Sequence, residues 1–557
     1  MASINQPGAN LYVFREARRA VPASGLCRDL AAELDRLEAA ESPARARRIA
    51  EDALLRAGEI ECLLTDHGSP RAAEAAAVAD RLAAITLGAS LPAPRAPADL
   101  GADLPPLVLP SPPEGFAYYA LLPRAFADLA RAIAVPSGAA AVIGIRTIGA
   151  TLSAVVSASL RLAGIAAERI TARPKGHPYA RELPPDPALT AWMARQRDRD
   201  ARFFVVDEGP GMSGSSFLAV GEAIAREGVD PKRIVLLGSR PVDPRDLLAD
   251  RAAERYAAFA GLWTAPPGAP LEEGVIDVSA GLWRARFWPD EARWPATWTT
   301  HERVKRISGD GQRLYKFEGL GRWGAAARER ARAVAEAGFG PAPIEAGSGF
   351  TCYPMIAGRP LSVADRSWAV IQRLADYCAF RAAAFPVAEA DSLELQAMVH
   401  ENAGVELGRP IHLALPLERP VIADARLHPH EWIATDDGRL LKVDAATHGD
   451  DHIFPGPTDI AWDLASAIVE WDLTGGARQA FLDRYARASG DRPEARLPAY
   501  LTAYLVQHLA RARMAAGALA GTPEEARLLR DHARYRSALP SELLRDQVSA
   551  GAPDSRS

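Results

Sequence analysis

Residues 203–216, FFVVDEGPGMSGSS, set two adjacent carboxylates between an apolar run and a Gly/Ser loop. Phe203, Phe204, Val205 and Val206 suit a strand of a parallel sheet covered on both faces. Asp207 and Glu208 then stand at the strand's carboxyl end, where open α/β sheets bind ligands. After Gly209-Pro210-Gly211-Met212, the stretch Ser213-Gly214-Ser215-Ser216 opens the helix FLAVGEAIAREG. A helix start presents unpaired N–H groups and partial positive charge, so it attracts phosphate, and glycine lets the backbone approach closely. This is the local architecture that holds a phosphorylated ribose, with Asp207 and Glu208 as candidates for the hydroxyls or a metal ion.

Upstream, residues 140–151 read AAVIGIRTIGAT, a second apolar strand feeding a glycine-containing turn and the helix LSAVVSASLRLAG. Gly144, Thr147 and Gly149 are candidate phosphate contacts there, and Arg146 offers a fork of donors matched to phosphate oxygens. Between the two lies ITARPKGHPYAR (170–181), a basic segment broken by Pro and Gly, with Arg173, Lys175 and the weaker candidate His177.

In this order the three pieces resemble the type I phosphoribosyltransferases. The resemblance implies that Asp207 and Glu208 take the ribose 2′ and 3′ hydroxyls, and that Gly211, Ser213, Gly214, Ser215 and Ser216 take the 5′-phosphate of phosphoribosyl pyrophosphate. It further implies that Arg146, Arg173 and Lys175 stabilise the pyrophosphate leaving group together with Mg²⁺. Two departures stand out: four residues, not three, separate the acidic pair from Ser213-Gly214, and Ser replaces Thr. No residue is assigned as a base.

The chain changes character after residue 300. HERVKRI and RLYKF flank SGDG, which predicts a hairpin that carries Lys316 on its second strand. The helix GAAARERARAVAEAG, with Glu329, ends at Gly338 before FGPAPI, and a further strand, 350–355, runs into the break at Gly358. This succession resembles the small lobe of aminoglycoside-phosphotransferase-type kinases, which implies that Lys316 contacts nucleotide phosphates and pairs with Glu329. DARLHPHEWI (424–433) is similar to that family's catalytic loop, but Arg426 occupies the catalytic Asp position and Glu431 the metal-binding Asn position. Arg439 to Asp444 resembles the strand that ends in the metal-binding Asp, and DIAWDLA (459–465) matches a helix opening of the same family. Arg426 can neither accept a proton nor hold Mg²⁺. Two readings follow: a lobe that binds a nucleotide or acceptor and is catalytically altered, or a phosphotransferase with a nonstandard acid/base such as His428 or Asp424. Glu431, Asp444 and Asp450, with Asp451 and His452 close by, are candidate metal ligands.

The positioning elements follow from length and composition. With 557 residues, 48% hydrophobic and 24% charged, the chain exceeds one ordinary core and has a soluble globular composition. A net charge of −5 gives nucleic-acid binding no electrostatic support. Cys27, Cys62, Cys352 and Cys378 form no CxxC pair, which argues against a disulfide framework or structural zinc and for a reducing cytoplasm. The N-terminus lacks a signal-peptide core, and no run of about 20 apolar residues predicts a membrane span.

The expected fold is multidomain α/β and α+β. A helical N-terminal domain and the start of a Pro-rich linker occupy 1–100, and a doubly wound, parallel-sheet phosphoribosyltransferase-like domain occupies 101–265. A Trp-rich connector (266–299), a two-lobed kinase-like domain (300–545) and a disordered tail (546–557) follow. The combination is similar to phosphoribosyltransferase-like proteins of tellurium-resistance-type gene clusters. The expected ligands are small phosphoribosyl and nucleotide molecules, with Mg²⁺ and ATP as cofactors and a homodimer as one open assembly. The leading expectation is transfer at ribose C1. The alternatives are a non-catalytic nucleotide sensor or scaffold with a pseudokinase domain, and a small-molecule kinase joined to an inert sheet domain.

Overall fold

The computed structural model describes residues 11–14, 20–133, 135–264, 272–388, 390–453 and 456–544. The expected tail at 546–557 lies outside them. The chain divides into two compact units, one of residues 18–270 with 319–324, the other of residues 1–17, 271–318 and 325–557. Both helices and strands build each, giving a mixed α/β protein. No helix among the described residues is long and apolar enough to cross a membrane.

The first unit is built on a five-stranded sheet in the order Ala166–Ala172, Ala139–Ile145, Arg202–Val206, Ile234–Gly238, Ala260–Trp263, with every neighbouring pair parallel. All seven residues of Ala139–Ile145 are buried, as the uninterrupted apolar run requires. The following helix, Ile148–Leu162, is buried at every position from Ile148 to Leu160. A helix covered all round needs a layer on each side. One side is the sheet. The other is the N-terminal helices Pro43–Asp66 and Ala72–Thr86, whose Leu54, Leu64 and Leu82 share a core with Ala154, Val155 and Ala158.

The boundary expected near residue 100 is therefore absent. The Arg-rich helices cover the sheet unit and belong to it. The Pro-rich segment is also packed: Leu100, Leu104 and Val108 join the same core, and Pro106 accepts a hydrogen bond from the Ala23 amide at 3.0 Å.

The second unit opens with an antiparallel sheet in the order Ile276–Asp277, Lys305–Ile307, Arg313–Phe317, Phe350–Pro354, Ile344–Gly347. The predicted hairpin forms with Lys305 directly opposite Lys316, so both side chains share one face. A three-stranded sheet (Gly358–Pro360, Trp432–Thr435, Leu440–Lys442) follows, surrounded by the helices Trp368–Ala384, Ala461–Glu470, Leu497–Ala518 and Pro523–Ser537. Trp432, Trp462 and Trp471 fill their common core.

The Trp-rich stretch is a wall of this unit, not a connector. Arg284 makes two buried bonds to Glu524, at 2.9 and 3.0 Å, and its guanidinium lies 4.7 Å from the Trp294 ring. Trp298 is buried, whereas Trp283 reaches a cavity described below.

Candidate functional site

Asp207 and Glu208 do emerge at the carboxyl end of Arg202–Val206, and the Gly/Ser loop does lead into the helix Ser215–Arg226. What the structure adds is the partner of each group. Glu208 accepts a hydrogen bond from the Gly115 amide at 2.8 Å, and Asp207 accepts one from the Glu208 amide at 2.8 Å. Burial pushes Asp207 up to about 7 and Glu208 up to about 8, the latter helped by the neighbouring Glu114 carboxylate. The doublet thus holds protons near neutrality, unlike an ordinary carboxylate pair.

The loop hydroxyls have partners too. Ser213 and Ser215 each donate to the Pro178 carbonyl at 2.7 Å, while Ser216 is half-buried at the helix start and Gly211 is exposed with φ +62°. Gly214 must be glycine for two reasons: its φ is +69°, and a Cβ there would lie 2.7 Å from the Tyr256 hydroxyl. Arg146 and Arg173 converge, but on a protein carboxylate: their Nε atoms donate to Asp66 at 3.0 and 2.8 Å. Lys175 and His177 sit on an exposed two-stranded hairpin.

Gly144 and Gly149 have a role other than the expected one. A Cβ at Gly144 would lie 2.1 Å from the Gly149 carbonyl oxygen, and one at Gly149 would lie 2.7 Å from that of Val206. Both glycines let a buried strand and helix touch; Thr147, at the turn between them, has its carbonyl taken by the Cys62 thiol at 3.1 Å.

The second unit gathers the remaining candidates around one loop. Asp463 receives the amides of Asp424 and Ala425 at 2.9 and 2.8 Å, Ser466 receives that of Leu427 at 3.0 Å, and the Trp471 indole donates to the Leu427 carbonyl at 2.9 Å. The helix opened by DIAWDLA therefore holds residues 424–427 by their backbone. Ala425 and Asp444 both adopt left-handed backbone, at φ +64° and +59°. Such conformations persist where the surroundings over-determine them, as they do here.

On that frame, opposite charges alternate. Lys316 pairs with Asp444, donates to Thr447 at 3.0 Å and lies 3.9 Å from Glu318. Lys305 lies 2.7 Å from Glu302 and 3.8 Å from Asp444. Lys442 lies 3.1 Å from Glu431 and 3.5 Å from Asp424, and Arg426 lies 3.1 Å from Glu431. Burial alone would raise the Asp444 carboxyl, but Lys316, His448 and Lys305 outweigh it and hold it well below the carboxylate range. Against the same burial, Arg426 and Lys442 bring Glu431 down to about 2.

Glu431, Asp444 and His448 place one ligand atom each within 4.8 Å of one another, the one such group of three among the described residues. Asp207 and Glu208 do not belong to such a group. Asp450 does not belong to it and pairs with Arg330 at 3.1 Å, and Asp451 pairs with His452 at 2.8 Å and Arg303 at 3.4 Å. Glu329 is exposed, since its helix turns Arg330 inward instead, and the carboxylates near Lys316 are Asp444 and Glu318. Asp424 is enclosed by Tyr377, Lys442 and Arg381, which leaves His428 as the accessible acid/base candidate.

Two cavities meet at this loop. The first, of about 150 Å³, is lined by apolar side chains that include Ile307, Leu314, Met355 and Ile433 and by the charged Lys316 and Asp444. The second, of about 180 Å³, contains His428, whose Nδ1 lies 2.9 Å from Glu470. Arg426 and His430 line both.

His448, Lys305 and Lys442 were missed in the sequence. Lys305 was legible from the hairpin register, and Lys442 from its place two residues before Asp444; nothing local marks His448, which a short turn at 448–450 brings inward.

No family model and no curated protein matches the chain. Solved structures give faint similarity. A choline/ethanolamine kinase family protein from Mesorhizobium loti is 16% identical, covering 45% of this chain and 90% of its own, with a TM-score of 0.30. A macrolide 2′-phosphotransferase from Brachybacterium faecium is 16% identical (49% and 96% covered, TM-score 0.28), and a spectinomycin phosphotransferase bound to ADP and spectinomycin is 12% identical (50% and 92%, 0.31). At these scores the likeness carries no assignment, and the chemistry is read from the side chains.

Proposed function

We propose that the unit containing residues 271–318 and 325–557 is an ATP-dependent phosphotransferase acting on a small molecule. The observation that carries this reading is the junction at Arg426. A cavity lined by apolar side chains and by Lys316, Asp444 and Glu431 meets there a second cavity that contains an imidazole held by a carboxylate. The adenine fits against the apolar side chains, and Lys316 and Lys305, forced onto one face by the hairpin register, take phosphate oxygens. The two carboxylates suit Mg²⁺ or Mn²⁺, the imidazole would favour the softer Mn²⁺, and either ion would displace Lys316 and Lys442 from Asp444 and Glu431. Held by Glu431, Asp444 and His448, the ion would offset phosphate charge. Arg426 replaces the acid of the family pattern with a fork of donors for the transferring phosphoryl group. Glu470 orients His428, which takes the acceptor's hydroxyl proton.

Titration calorimetry with ADP and Mg²⁺, paired with single-turnover assays, tests this. Lys316→Met is expected to weaken ADP at least tenfold. His428→Ala is expected to slow transfer by about 10²–10⁴-fold with ADP affinity unchanged. Absence of ADP binding by the unaltered protein would overturn the reading.

A second proposal concerns the sheet unit: a sugar phosphate docks beside Asp207 and Glu208, with ribose C1 chemistry as the activity. The parallel topology and the doublet at the strand end favour it. Docking would require Asp66 and Pro178 to give up the groups they now hold.

A further inference from the structure

The second cavity has a charge pattern of its own. Three guanidinium groups, Arg426, Arg511 and Arg534, line it together with His428 and His508, over a floor that includes Ala296, Val363 and Leu528. Its carboxylates are Glu470 and Asp531. Glu470 is already saturated: Tyr504 and Tyr535 donate to one oxygen at 2.8 Å each, and Arg534 and His428 approach the other at 2.9 Å each. Asp531 lies 3.9 Å from Arg534 and is pushed upward, chiefly by burial. Arg426 has its carboxylate partner, Glu431, in the other cavity.

Arg511 lies near a second cation, Arg426, and near Asp531. Burial, and then the Arg426 charge, lower it to about 10, so it stays charged at neutral pH and presents a cation to the cavity. An amine in this cavity would meet three guanidinium groups, with Glu470 already hydrogen-bonded through both oxygens and Asp531 beside Arg534. A phosphate or carboxylate would meet donors of matching planar geometry.

Resting on the phosphotransferase reading, we propose that the second cavity is the acceptor subsite and that the acceptor is a small hydroxylated anion, bearing phosphate or carboxylate, gripped by Arg426, Arg511 and Arg534. Its free hydroxyl then lies on the His428 side. Phosphoryl transfer forms one P–O bond to that hydroxyl oxygen and breaks the bond to the ADP oxygen, and the hydroxyl proton passes to His428.

The test uses the full chain with glycerol 3-phosphate, glycerate and choline as probes in titration calorimetry, each with and without ADP and Mg²⁺. Glycerol 3-phosphate or glycerate is expected to bind and choline is not; which anion binds more tightly separates phosphate from carboxylate recognition. Arg511→Gln is expected to weaken the anion at least tenfold, and Arg511→Lys to restore part of that loss, with ADP affinity the same in both variants. Choline binding as tightly as the anions, no binding of either anion, or unchanged anion affinity in Arg511→Gln would each overturn the proposal while ADP binding still stands. Loss of ADP binding in the unaltered protein instead fails the phosphotransferase reading itself.

Discussion

The crevice of the sheet unit and the cleft of the second unit hold similar inventories, and they differ in how the charges are paired. In the crevice, one protein carboxylate, Asp66, takes both Arg146 and Arg173, and one carbonyl, Pro178, takes both Ser213 and Ser215. In the cleft, lysines and carboxylates answer each other in a chain along a cavity wall, so the same groups face space large enough for a ligand. A polar group left unpaired in a buried place costs about 1–3 kcal/mol. Crevice and cleft both meet that demand internally, so a ligand must compete in either, but in the cleft the paired groups also line a cavity. Spacing along a chain shows where donors accumulate, whereas their partners come from residues far away in sequence.

Asp463→Ala gives the largest expected effect. It strips the acceptor from two buried amides of the 424–427 loop, Asp424 and Ala425. Each orphaned donor costs about 1–3 kcal/mol, so melting is expected to fall by several degrees and single-turnover transfer by roughly 10²-fold or more through lost positioning. Transfer at the unaltered rate would show that the loop's geometry does not set the chemistry, and the cleft would lose its claim over the crevice.

Asp66→Asn sharpens the comparison from the other side. It leaves Arg146 and Arg173 without their shared anion but keeps the side chain's size. Affinity for pyrophosphate or phosphoribosyl pyrophosphate, read by calorimetry, is expected to rise about tenfold, the size of an exchanged charge-assisted bond. An unchanged affinity would mean that the two arginines are structural ties of the N-terminal helices.

The strand ending in Asp207-Glu208, the Gly/Ser helix start, the hairpin with Lys316 and the loop-holding helix were all legible, because each is a local pattern of period, glycine and charge. Gly149 illustrates the limit. Its sequence context marks a turn, but only the fold shows that the atom it makes room for is the Val206 carbonyl. Glu329 and Arg330 show another: neighbouring positions on a helix differ by about 100° in direction, so a small change of helix phase exchanges which one faces inward. His448 and Asp66 act through long-range placement, His448 on a turn after its strand and Asp66 at the end of the helix Pro43–Asp66, and no local pattern announces either. The helical region reads as a separate domain because its amphipathic faces are the same whether they cover a partner helix or a sheet layer.

The smallest expected effect reads the crevice's electrostatics through pH. Glu208 has its carboxyl raised to about 8, first by burial and then by Glu114, from an ordinary value near 4.5. Between those values the folded state keeps a proton that the unfolded state releases, so this group's contribution to stability falls as pH rises through that window and is constant above it. Glu208→Gln keeps the acceptor for the Gly115 amide and removes the titration. The variant is expected to melt with the unaltered protein near pH 4 and several degrees above it at pH 8, with other titrating groups cancelling in the difference. A ligand that binds the crevice by hydrogen-bonding an ionised Glu208 would pull the same group the opposite way. Saturating phosphoribosyl pyrophosphate should then narrow the gap at pH 8, and a gap that stays constant would leave the crevice as packing alone.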